Sequence, residues 1–519
     1  MRTPLLTAAS LLTLGAASLH AQTAQRPNVL FILADDLGYG DLSCYGGNAP
    51  TPNIDRLAAQ GTRFSNAHAV ASTSTPSRYG MLTGCYPFRR RGTDVAAGNA
   101  GMIIRPEQYT VADVFRSAGY RTAAIGKWHL GLGSRTARQD WNGLLDQTPA
   151  DLGFDYHYLM AATADRVPCV FIEQGRVAQW DASAPIEVSY DWGHPFPGEP
   201  LGSTHPELLT KQKASHGHDM AIVNGIGRIG YMRGGGRALW RDEDIPDSLL
   251  RHAIGWLGQA AHKDTGGSQA ERQPFFMFFA TNDVHVPRQP HERFRGLSPM
   301  GLRGEAILQL DYTVGRLCAA LDSLGLRDNT LIILTSDNGP VLDDGYADLA
   351  EELVGTHKPG GPFRGGKYSA YEAGNAVPFI VSGAGAKQGK VSDALVSLID
   401  LPASMAELTG TDIPQGQAAD SRASLPTWLG RSRRPADFHI SMAANRSLEI
   451  RTQRWKYIEP SEGGIDWGPH IESGYASQPQ LYDLRRSLWE QDNVADRRPK
   501  VLRQMQQMLK KVRGEAASQ

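Results

Sequence analysis

The 519-residue chain lacks most of the features that assign a protein to a special class. It has only four cysteines (Cys44, Cys85, Cys169 and Cys318) and no C-x-x-C pair, which argues against a disulfide scaffold and a structural zinc site. A formal net charge of −1 gives no overall positive field for nucleic acid or an acidic membrane surface. We therefore expect a globular protein without nucleic-acid partners, in which any anion is recognised by a local site.

Long apolar runs are also missing after the N-terminus. There, Arg2 precedes the apolar segment Leu5–Leu19, and the small residues up to Ala21 permit cleavage after that position. The segment is short for a bilayer span, so a membrane anchor is the weaker alternative. We predict a signal peptide over residues 1–21, no membrane span, and a protein that is periplasmic or secreted.

The remaining chain contains five short, continuous apolar runs that are typical of strands buried on both faces of a sheet. Helical patterns at Thr110–Ala118 and Ala306–Leu324 lie between them. This alternation predicts an α/β fold with a large mixed, mostly parallel sheet flanked by helices. The five runs are Asn28–Ala34, Thr122–Ile125, Phe275–Ala280, Leu331–Leu334 and Val377–Val381.

The pattern changes after about Gly430. Short strand-like runs occupy Asp437–Tyr457, the run Leu481–Leu484 follows, and a helical pattern at Lys500–Val512 closes the chain. We predict a catalytic α/β domain over residues 22–432 and a smaller C-terminal α+β subdomain over residues 433–519.

Polar residues follow four of the apolar runs, where ligands of open α/β sheets gather. Two of these strand ends supply only oxygen ligands, which suits a hard divalent cation, Ca²⁺ before Mg²⁺. Each pair alone would be explained as well by a helix cap or a turn; together they favour a metal site. The predicted metal ligands are Asp35, Asp36, Asp337 and Asn338.

Cationic and donor side chains accompany these acids. A metal ion with several such groups forms a pocket for a tetrahedral oxyanion. The alternatives are core histidines and solvated loop lysines. The candidates are Arg78, Lys127, His129, His285 and Lys367.

Ser74 raises a separate question, because no histidine stands beside it and no G-x-S-x-G surrounds it. Its surroundings, Ser74-x-Pro76-x-Arg78-x-x-x-Leu82-Thr83-Gly84, resemble the signature of type I, formylglycine-dependent sulfatases, which have an alkaline phosphatase-like fold. The resemblance extends over nearly the whole chain after the signal peptide. It includes the segments Asn28–Gly40, Gly119–His129, Thr335–Gly339, Phe363–Lys367, Arg454–Tyr457 and Leu481–Leu484.

The resemblance implies a role for each candidate. It implies that a maturase converts Ser74 to formylglycine and that Arg78 positions this group. Lys127 and Lys367 would bind the sulfate, His129 would act as a base, and His285 would act as the acid that protonates the leaving oxygen. The implied calcium ligands are Asp35, Asp36, Asp337 and Asn338. An unmodified serine hydroxyl without a base is a poor nucleophile, whereas a hydrated aldehyde has a second hydroxyl with which to expel sulfate. One departure from the family pattern is Ala376, which stands where many members have an arginine.

The segment Asp140–Arg241 between the motifs is rich in Gly, His and Asp, and is expected to set the substrate. Its polar residues could equally be solvated loop residues. The predicted substrate contacts there and beyond are Asp165, Arg166, His216 and His357. Exported bacterial relatives mostly act on sulfated glycans, so the resemblance implies a sulfated carbohydrate, with galactose or N-acetylgalactosamine as the expected sugar.

Two rival functions remain at this stage. One is a phosphoester hydrolase of the same superfamily, which would carry a plain Ser or Thr nucleophile and ligands for two zinc ions. The other is a catalytically inactive protein that binds sulfated glycans. The single oxygen-only ligand set argues against the first, and the retained lysines and histidines argue against the second.

Overall fold

The computed structural model describes residues 26–135, 138–261, 273–465, 467–468 and 470–514. The predicted signal peptide, residues 1–21, lies outside these ranges. No helix within them combines the length and apolar character that a bilayer crossing requires.

The described residues form twenty strands and nine α-helices, numbered here in chain order. The strands are β1 Asn28–Ala34, β2 Gly61–Phe64, β3 Ala67–His68, β4 Arg121–Lys127, β5 Tyr156–Met160, β6 Phe171–Glu173, β7 Arg176–Val177, β8 Glu187–Ser189, β9 Ile222–Val223, β10 Ile226–Gly227, β11 Tyr231–Arg233, β12 Phe275–Ala280, β13 Thr330–Ser336, β14 Phe379–Gly383, β15 Lys390–Ser392, β16 Val396–Ser397, β17 His439–Met442, β18 Leu448–Arg451, β19 Trp455–Ile458 and β20 Gln480–Asp483. The helices are α1 Pro52–Ala59, α2 Ser74–Thr83, α3 Val111–Ser117, α4 Ile245–Ala261, α5 Gly301–Ser323, α6 Ala350–Leu353, α7 Leu401–Thr409, α8 Leu425–Trp428 and α9 Pro499–Gly514.

A ten-stranded mixed sheet organises the molecule, in the spatial order β15-β2-β14-β13-β1-β12-β4-β5-β6-β7. Strands β13, β1, β12, β4 and β5 run parallel as neighbours, while β14 is antiparallel to β13 and β2. Four of the predicted apolar runs lie within strands of this sheet, and the fifth, Val377–Val381, begins two residues before β14; the predicted mixed, mostly parallel α/β fold is confirmed. Because β13, β1, β12 and β4 are parallel, their carboxyl ends share one edge.

Helices cover both faces of this sheet. Phe115 of α3 stacks on Phe276 with ring centroids 4.2 Å apart, while Trp256 of α4 packs edge-on against Phe275 at 5.8 Å. Successive strand residues point to opposite faces, so α3 and α4 lie on opposite sides. Burial on both faces explains why the strand sequences are continuously apolar rather than alternating.

The C-terminal part forms a second, antiparallel sheet in the order β17-β18-β19-β20, against which α9 packs. This agrees with the predicted smaller α+β subdomain, including its closing helix; the boundary at residue 433 stays a prediction. Ile440, Ile450 and Leu481 of this sheet belong to the same apolar core as the main sheet. The subdomain is therefore packed onto the catalytic part rather than tethered to it.

Buried charges join the two parts. Lys456 Nζ of β19 lies 3.2 Å from Glu372 Oε1 and 3.0 Å from Glu490 Oε1, and it also contacts Glu449. Arg451 of β18 contacts the other oxygen of Glu372. Burial raises the pKa of Glu449 and Glu490, whereas the two cations overcome burial at Glu372 and lower its pKa. Glu372 follows closely after Lys367, so this cluster anchors a site loop to the C-terminal sheet.

Replacing Lys456 with methionine should lower the free energy of unfolding by about 3–5 kcal/mol, because three buried carboxylates would lose a shared cation. Chemical denaturation measures this loss. The control is Lys500→Met, at an exposed position in the first turn of α9, for which we expect less than about 0.5 kcal/mol. Equal stability of Lys456→Met and the parent protein would contradict the anchoring role.

Candidate active site

The register of the parallel strands brings the predicted metal ligands together. Ala34 at the end of β1 pairs with Ser336 at the end of β13, so the residues that follow leave the sheet side by side. The backbone N–H of Asp36 donates to Asp337 Oδ1 over 3.2 Å. The Asn338 amide nitrogen donates to Asp36 Oδ1 over 2.7 Å.

The donor set fits a divalent cation. Asp35 Oδ2 is buried and has no hydrogen-bond partner anywhere in the described chain. Ligand atoms of Asp35, Asp36 and His285 lie within 4.8 Å of one another. Burial, together with the nearby carboxylates of Asp337 and Asp36, raises the pKa of Asp35 and outweighs the positive charge of Lys127. A hard cation held by carboxylate and amide oxygens would supply further positive charge.

Ser74 is the first residue of α2 and lies beside these acids. Lys127 Nζ donates to Ser74 Oγ over 2.9 Å, and the hydroxyl donates to Asn338 Oδ1 over 3.2 Å. Neither partner is a base that could remove the serine proton. Thr73 and Ser74 line a cavity, so the N-terminus of this ten-residue helix faces it and favours an anion there.

The side chains of Lys127 and Arg78 bind these carboxylates directly. Lys127 Nζ lies 2.6 Å from Asp35 Oδ1. Arg78 Nε donates to Asp337 Oδ2 over 2.9 Å, and its Nη1 donates to the Lys127 carbonyl over 2.8 Å. Burial alone would raise the pKa of Asp337, but Arg78 and Lys127 outweigh it and hold that pKa well below its usual range. Arg78 thus ties the ends of β4 and β13 together.

Lys367 connects the acids with a histidine. Its Nζ lies 2.8 Å from Asp36 Oδ2, 2.7 Å from Asp344 Oδ2 and 3.2 Å from His285 Nε2. His285 Nδ1 lies 2.6 Å from the Val286 carbonyl, which can only accept, so the ring proton sits on Nδ1 and Nε2 offers a lone pair. Burial first, and then Lys367, lowers the pKa of His285, which keeps the ring neutral.

His129 is held as a free base. Its Nε2 lies 3.0 Å from the Ala96 carbonyl and therefore carries the proton. Its buried Nδ1 has no partner among the residues that the structure describes. Burial, followed by Lys127, lowers the pKa of His129, so the ring stays neutral and Nδ1 keeps a lone pair.

Three non-glycine residues at the site have left-handed backbone conformations. They are Asp36 (φ 56°), His129 (φ 56°) and Tyr368 (φ 77°), which directly follows Lys367. Such conformations cost about 1–3 kcal/mol each and persist where the surrounding structure imposes them. Here each one turns a site side chain, or its immediate neighbour, at the end of a strand or loop.

These groups open into a cavity of about 640 Å³. Ser74, His129, His285 and Lys367 line it together with residues from the segment Asp140–Arg241 and from the C-terminal part. Polar and aromatic side chains make up much of the remaining lining, among them Asp165, Arg166, Tyr190, Trp192, His216, His218, Asp344, Tyr368 and Trp467.

Asp165 lines the cavity and has one carboxylate oxygen without a hydrogen-bond partner among the described residues. Its Oδ2 accepts from Arg166 Nη1 over 2.7 Å and from His218 Nε2 over 3.0 Å. Its buried Oδ1 has no partner in the described ranges. Burial would raise the pKa of this carboxyl, but Arg166 and His218 reverse the effect and hold it well below the usual range. The carboxylate is therefore charged, positioned by two neighbours and able to accept another hydrogen bond.

The four predicted substrate contacts do not all lie at the cavity. Asp165, Arg166 and His216 do, whereas the prediction for His357 needs correction. His357 is buried, with Nε2 2.8 Å from Asp41 Oδ1 and Nδ1 accepting from the Asn48 N–H over 3.2 Å. Asp41 also binds Arg303, so His357 completes a buried charge cluster under the loop that follows Asp36.

Sequence reasoning missed several cavity residues. Asp344 binds Lys367, and Tyr368 donates to Asp344 Oδ1 over 2.6 Å. Trp467 comes from the C-terminal part, to which no substrate contact was assigned. The acidic pair Asp343-Asp344 near the Asp337 motif was a usable signal; nothing in the local sequence marks Trp467.

Known proteins resemble this chain over almost its whole length. The sulfatase family model matches residues 27–411. An N-acetylgalactosamine-6-O-sulfatase of Bacteroides thetaiotaomicron is 47% identical over 496 residues, covering 95% of this chain and 94% of that protein. Human arylsulfatase A is 30% identical over 509 residues, covering 93% and 87% of the respective chains.

A solved structure from work on glycosaminoglycan metabolism by Bacteroides thetaiotaomicron superposes with a TM-score of 0.90 at 47% identity, covering 94% of this chain and 99% of that one. A sulfatase structure from Pseudoalteromonas sp. at 21% identity, with a TM-score of 0.68 and coverage of 96% and 91%, shares the fold. The converging strand ends, the lysine and histidine positions and these similarities agree: the chain belongs to the sulfatase family and is a sulfuric ester hydrolase.

Proposed function

We propose that this protein is an exported, calcium-dependent sulfatase that removes 6-O-sulfate from N-acetylgalactosamine in sulfated glycans, using formylglycine made from Ser74 by a maturase. One observation carries the sugar assignment: Asp165, whose Oδ1 has no hydrogen-bond partner among the described residues, lines the same cavity as Ser74 and Lys367. A buried charged acceptor beside a sulfate-binding site suits a sugar hydroxyl. The 47% identity to an N-acetylgalactosamine-6-O-sulfatase supports the choice of sugar.

The charged side chains of the cluster can accommodate an anionic substrate only when a metal cation is bound among them. Asp35, Asp36, Asp337 and Asp344 contribute four carboxylates, whereas Arg78, Lys127 and Lys367 contribute three positive charges. The cluster alone would repel an anionic sulfate ester. A divalent cation held by Asp35, Asp36, Asp337 and Asn338 reverses the sign of the excess charge and lets the sulfate bind.

The chain's own residues divide the remaining work. When present, the cation and the converted Ser74 supply a nucleophilic hydroxyl and electrostatic activation of the sulfate. Lys127 donates to the group at position 74, and Lys367 donates to the sulfate. His285 binds a proton at Nε2 once the sulfate offsets the charge of Lys367, and gives it to the leaving sugar oxygen. His129 Nδ1 accepts the proton that is lost when sulfate is expelled.

The rival functions fit the structure less well. Among the described residues one group of three or more His, Cys, Asp or Glu side chains converges as a metal site, whereas a two-zinc phosphoester hydrolase needs two. An inactive glycan-binding protein would not need the free Nδ1 of His129 or the contact between Lys367 and His285.

Conversion of Ser74 is tested by producing the protein with and without a serine-type maturase. Mass spectrometry of the peptide containing Ser74 should show the loss of two hydrogens only with the maturase, and sulfate release should follow the converted fraction. Ser74→Ala serves as the inactive control. Full activity with intact Ser74 would refute this mechanism.

Calcium binding is tested by stability as well as by activity. Adding Ca²⁺ at about 100 times its Kd to chelator-treated protein should stabilise the fold by about 2.7 kcal/mol, or raise Tm by about 2–3 °C for a chain of this length. Asp35→Asn should abolish the increase, because it removes a ligand. Asp400→Asn, at a buried acid lining a different cavity, should retain it. Loss of the increase in both variants, or in neither, would contradict the assigned site.

Sugar recognition is tested with two substrates. Asp165→Asn should lower kcat/KM for N-acetylgalactosamine 6-sulfate by about 10- to 100-fold, since it removes a charged acceptor. With methylumbelliferyl sulfate, which has no sugar hydroxyl, the change should stay below about twofold. Asp191→Asn, at an exposed acid paired with Arg138, is the matched control. Equal losses on both substrates would place Asp165 in catalysis rather than in sugar binding.

A further inference from the structure

We propose that Trp192 and Trp467 form an aromatic platform at the mouth of the active-site cavity, and that it binds a second sugar unit linked to the sulfated one. The inference deepens the proposed function and rests on it. Both tryptophans line the cavity that contains Ser74, Asp165 and Lys367.

Contacts made by neighbouring residues of its loop keep the Trp192 side chain exposed to solvent. Its side chain is 85% exposed. On one side of it, the Tyr190 hydroxyl donates to the Val167 carbonyl over 2.7 Å. On the other side, His194 stacks on Tyr231 with ring centroids 5.6 Å apart. Because both neighbours anchor the loop, the exposure of Trp192 is a property of a fixed conformation.

Trp467 is coupled to the sulfate-binding residues. Its side chain is 54% exposed. His216 Nε2 lies 3.1 Å from its carbonyl, and its ring packs edge-on against Tyr368 at 5.7 Å. Tyr368 follows Lys367 in the chain and binds Asp344. The exposed indole is therefore positioned relative to the sulfate end of the cavity through two independent contacts.

The chemistry of these two rings suits the face of a pyranose. Large exposed aromatic side chains next to a binding cavity mark an interaction surface. A pyranose face presents C–H groups that stack on an aromatic ring, while its hydroxyls stay in water. The cavity volume of about 640 Å³ lies within the range for drug-sized ligands, which are larger than one hexose.

The position of the two tryptophans in the lining of the active-site cavity indicates what binds to them. Four tryptophans of the described chain are substantially exposed: Trp180, Trp192, Trp467 and Trp489. Only Trp192 and Trp467 of these four line the active-site cavity. A glycan whose sulfated sugar binds at Asp165 extends from the cavity into solvent, and these rings are the solvent-exposed tryptophans of its lining. A second copy of the chain or an apolar aglycone would contact the same surface, and the test separates both of them from a sugar.

The test compares N-acetylgalactosamine 6-sulfate with a trisaccharide from chondroitin 6-sulfate that carries the same sulfated sugar at its end. Trp192→Ala and Trp467→Ala should each raise KM for the trisaccharide about tenfold, the factor expected for one anchoring aromatic ring. For the monosaccharide, KM and kcat should change less than about twofold. Trp467→Tyr, which keeps a ring, should restore most of the trisaccharide affinity. Trp180→Ala, at an exposed tryptophan outside the cavity, should alter neither substrate.

The outcomes separate the platform from the proposed function. Equal changes for both substrates, or none for either, would overturn the platform; so would a loss confined to aryl sulfates, which would indicate an apolar aglycone. A change of oligomeric state in Trp192→Ala on size-exclusion chromatography would assign the surface to a second copy. If the parent enzyme releases no sulfate from either sugar, the proposed sugar is wrong, and the same variants are compared on a mono- and oligosaccharide pair that it does hydrolyse.

Discussion

Three carboxylates buried at the ends of β1 and β13 impose the main constraint on this structure. Buried acids remain ionised only when positive charge or hydrogen bonds compensate for lost water. Arg78, Lys127 and Lys367 supply part of that compensation. A fourth carboxylate, Asp344, also pairs with Lys367, so the cluster contains four carboxylates and three cationic side chains. This deficit of positive charge is the physical basis of the proposed calcium site, because the cluster without a divalent cation would repel an anion.

The rest of the fold positions these carboxylates and their cationic partners. The parallel sheet sets the carboxylates side by side, and α2 places both Ser74 and Arg78 in contact with Lys127. The charge clusters around Asp41 and Lys456 are buried away from the cavity and fix the loops that carry Asp36 and Lys367. The proposed sugar contacts, which are Asp165 with its partners and the rings at the cavity mouth, are separate from the residues that bind the cation and the sulfate. Substrate preference can therefore vary without disturbing the sulfate chemistry.

Sequence reasoning predicted the strands and the convergence of their ends because both depend on local patterns. Continuous apolar runs require double burial, and parallel strands require a common edge, so Asp35, Lys127 and Asp337 were bound to meet. His357 was mispredicted because its partner, Asp41, lies more than three hundred positions away, and no local pattern shows that the two side chains satisfy each other. Trp467 was missed for the same reason: its place at the cavity depends on how a C-terminal loop folds back over Tyr368. The signal peptide and the domain boundary at residue 433 stay predictions.

The most direct test of the account is a crystal structure of the matured protein grown with Ca²⁺. We expect one ion about 2.3–2.6 Å from oxygens of Asp35, Asp36, Asp337 and Asn338, with a hydrated aldehyde in place of the Ser74 hydroxyl. Anomalous scattering would identify the ion. A cluster in which Lys127 and Lys367 alone compensate the carboxylates, with no ion bound and Ser74 unchanged in fully active protein, would contradict the account.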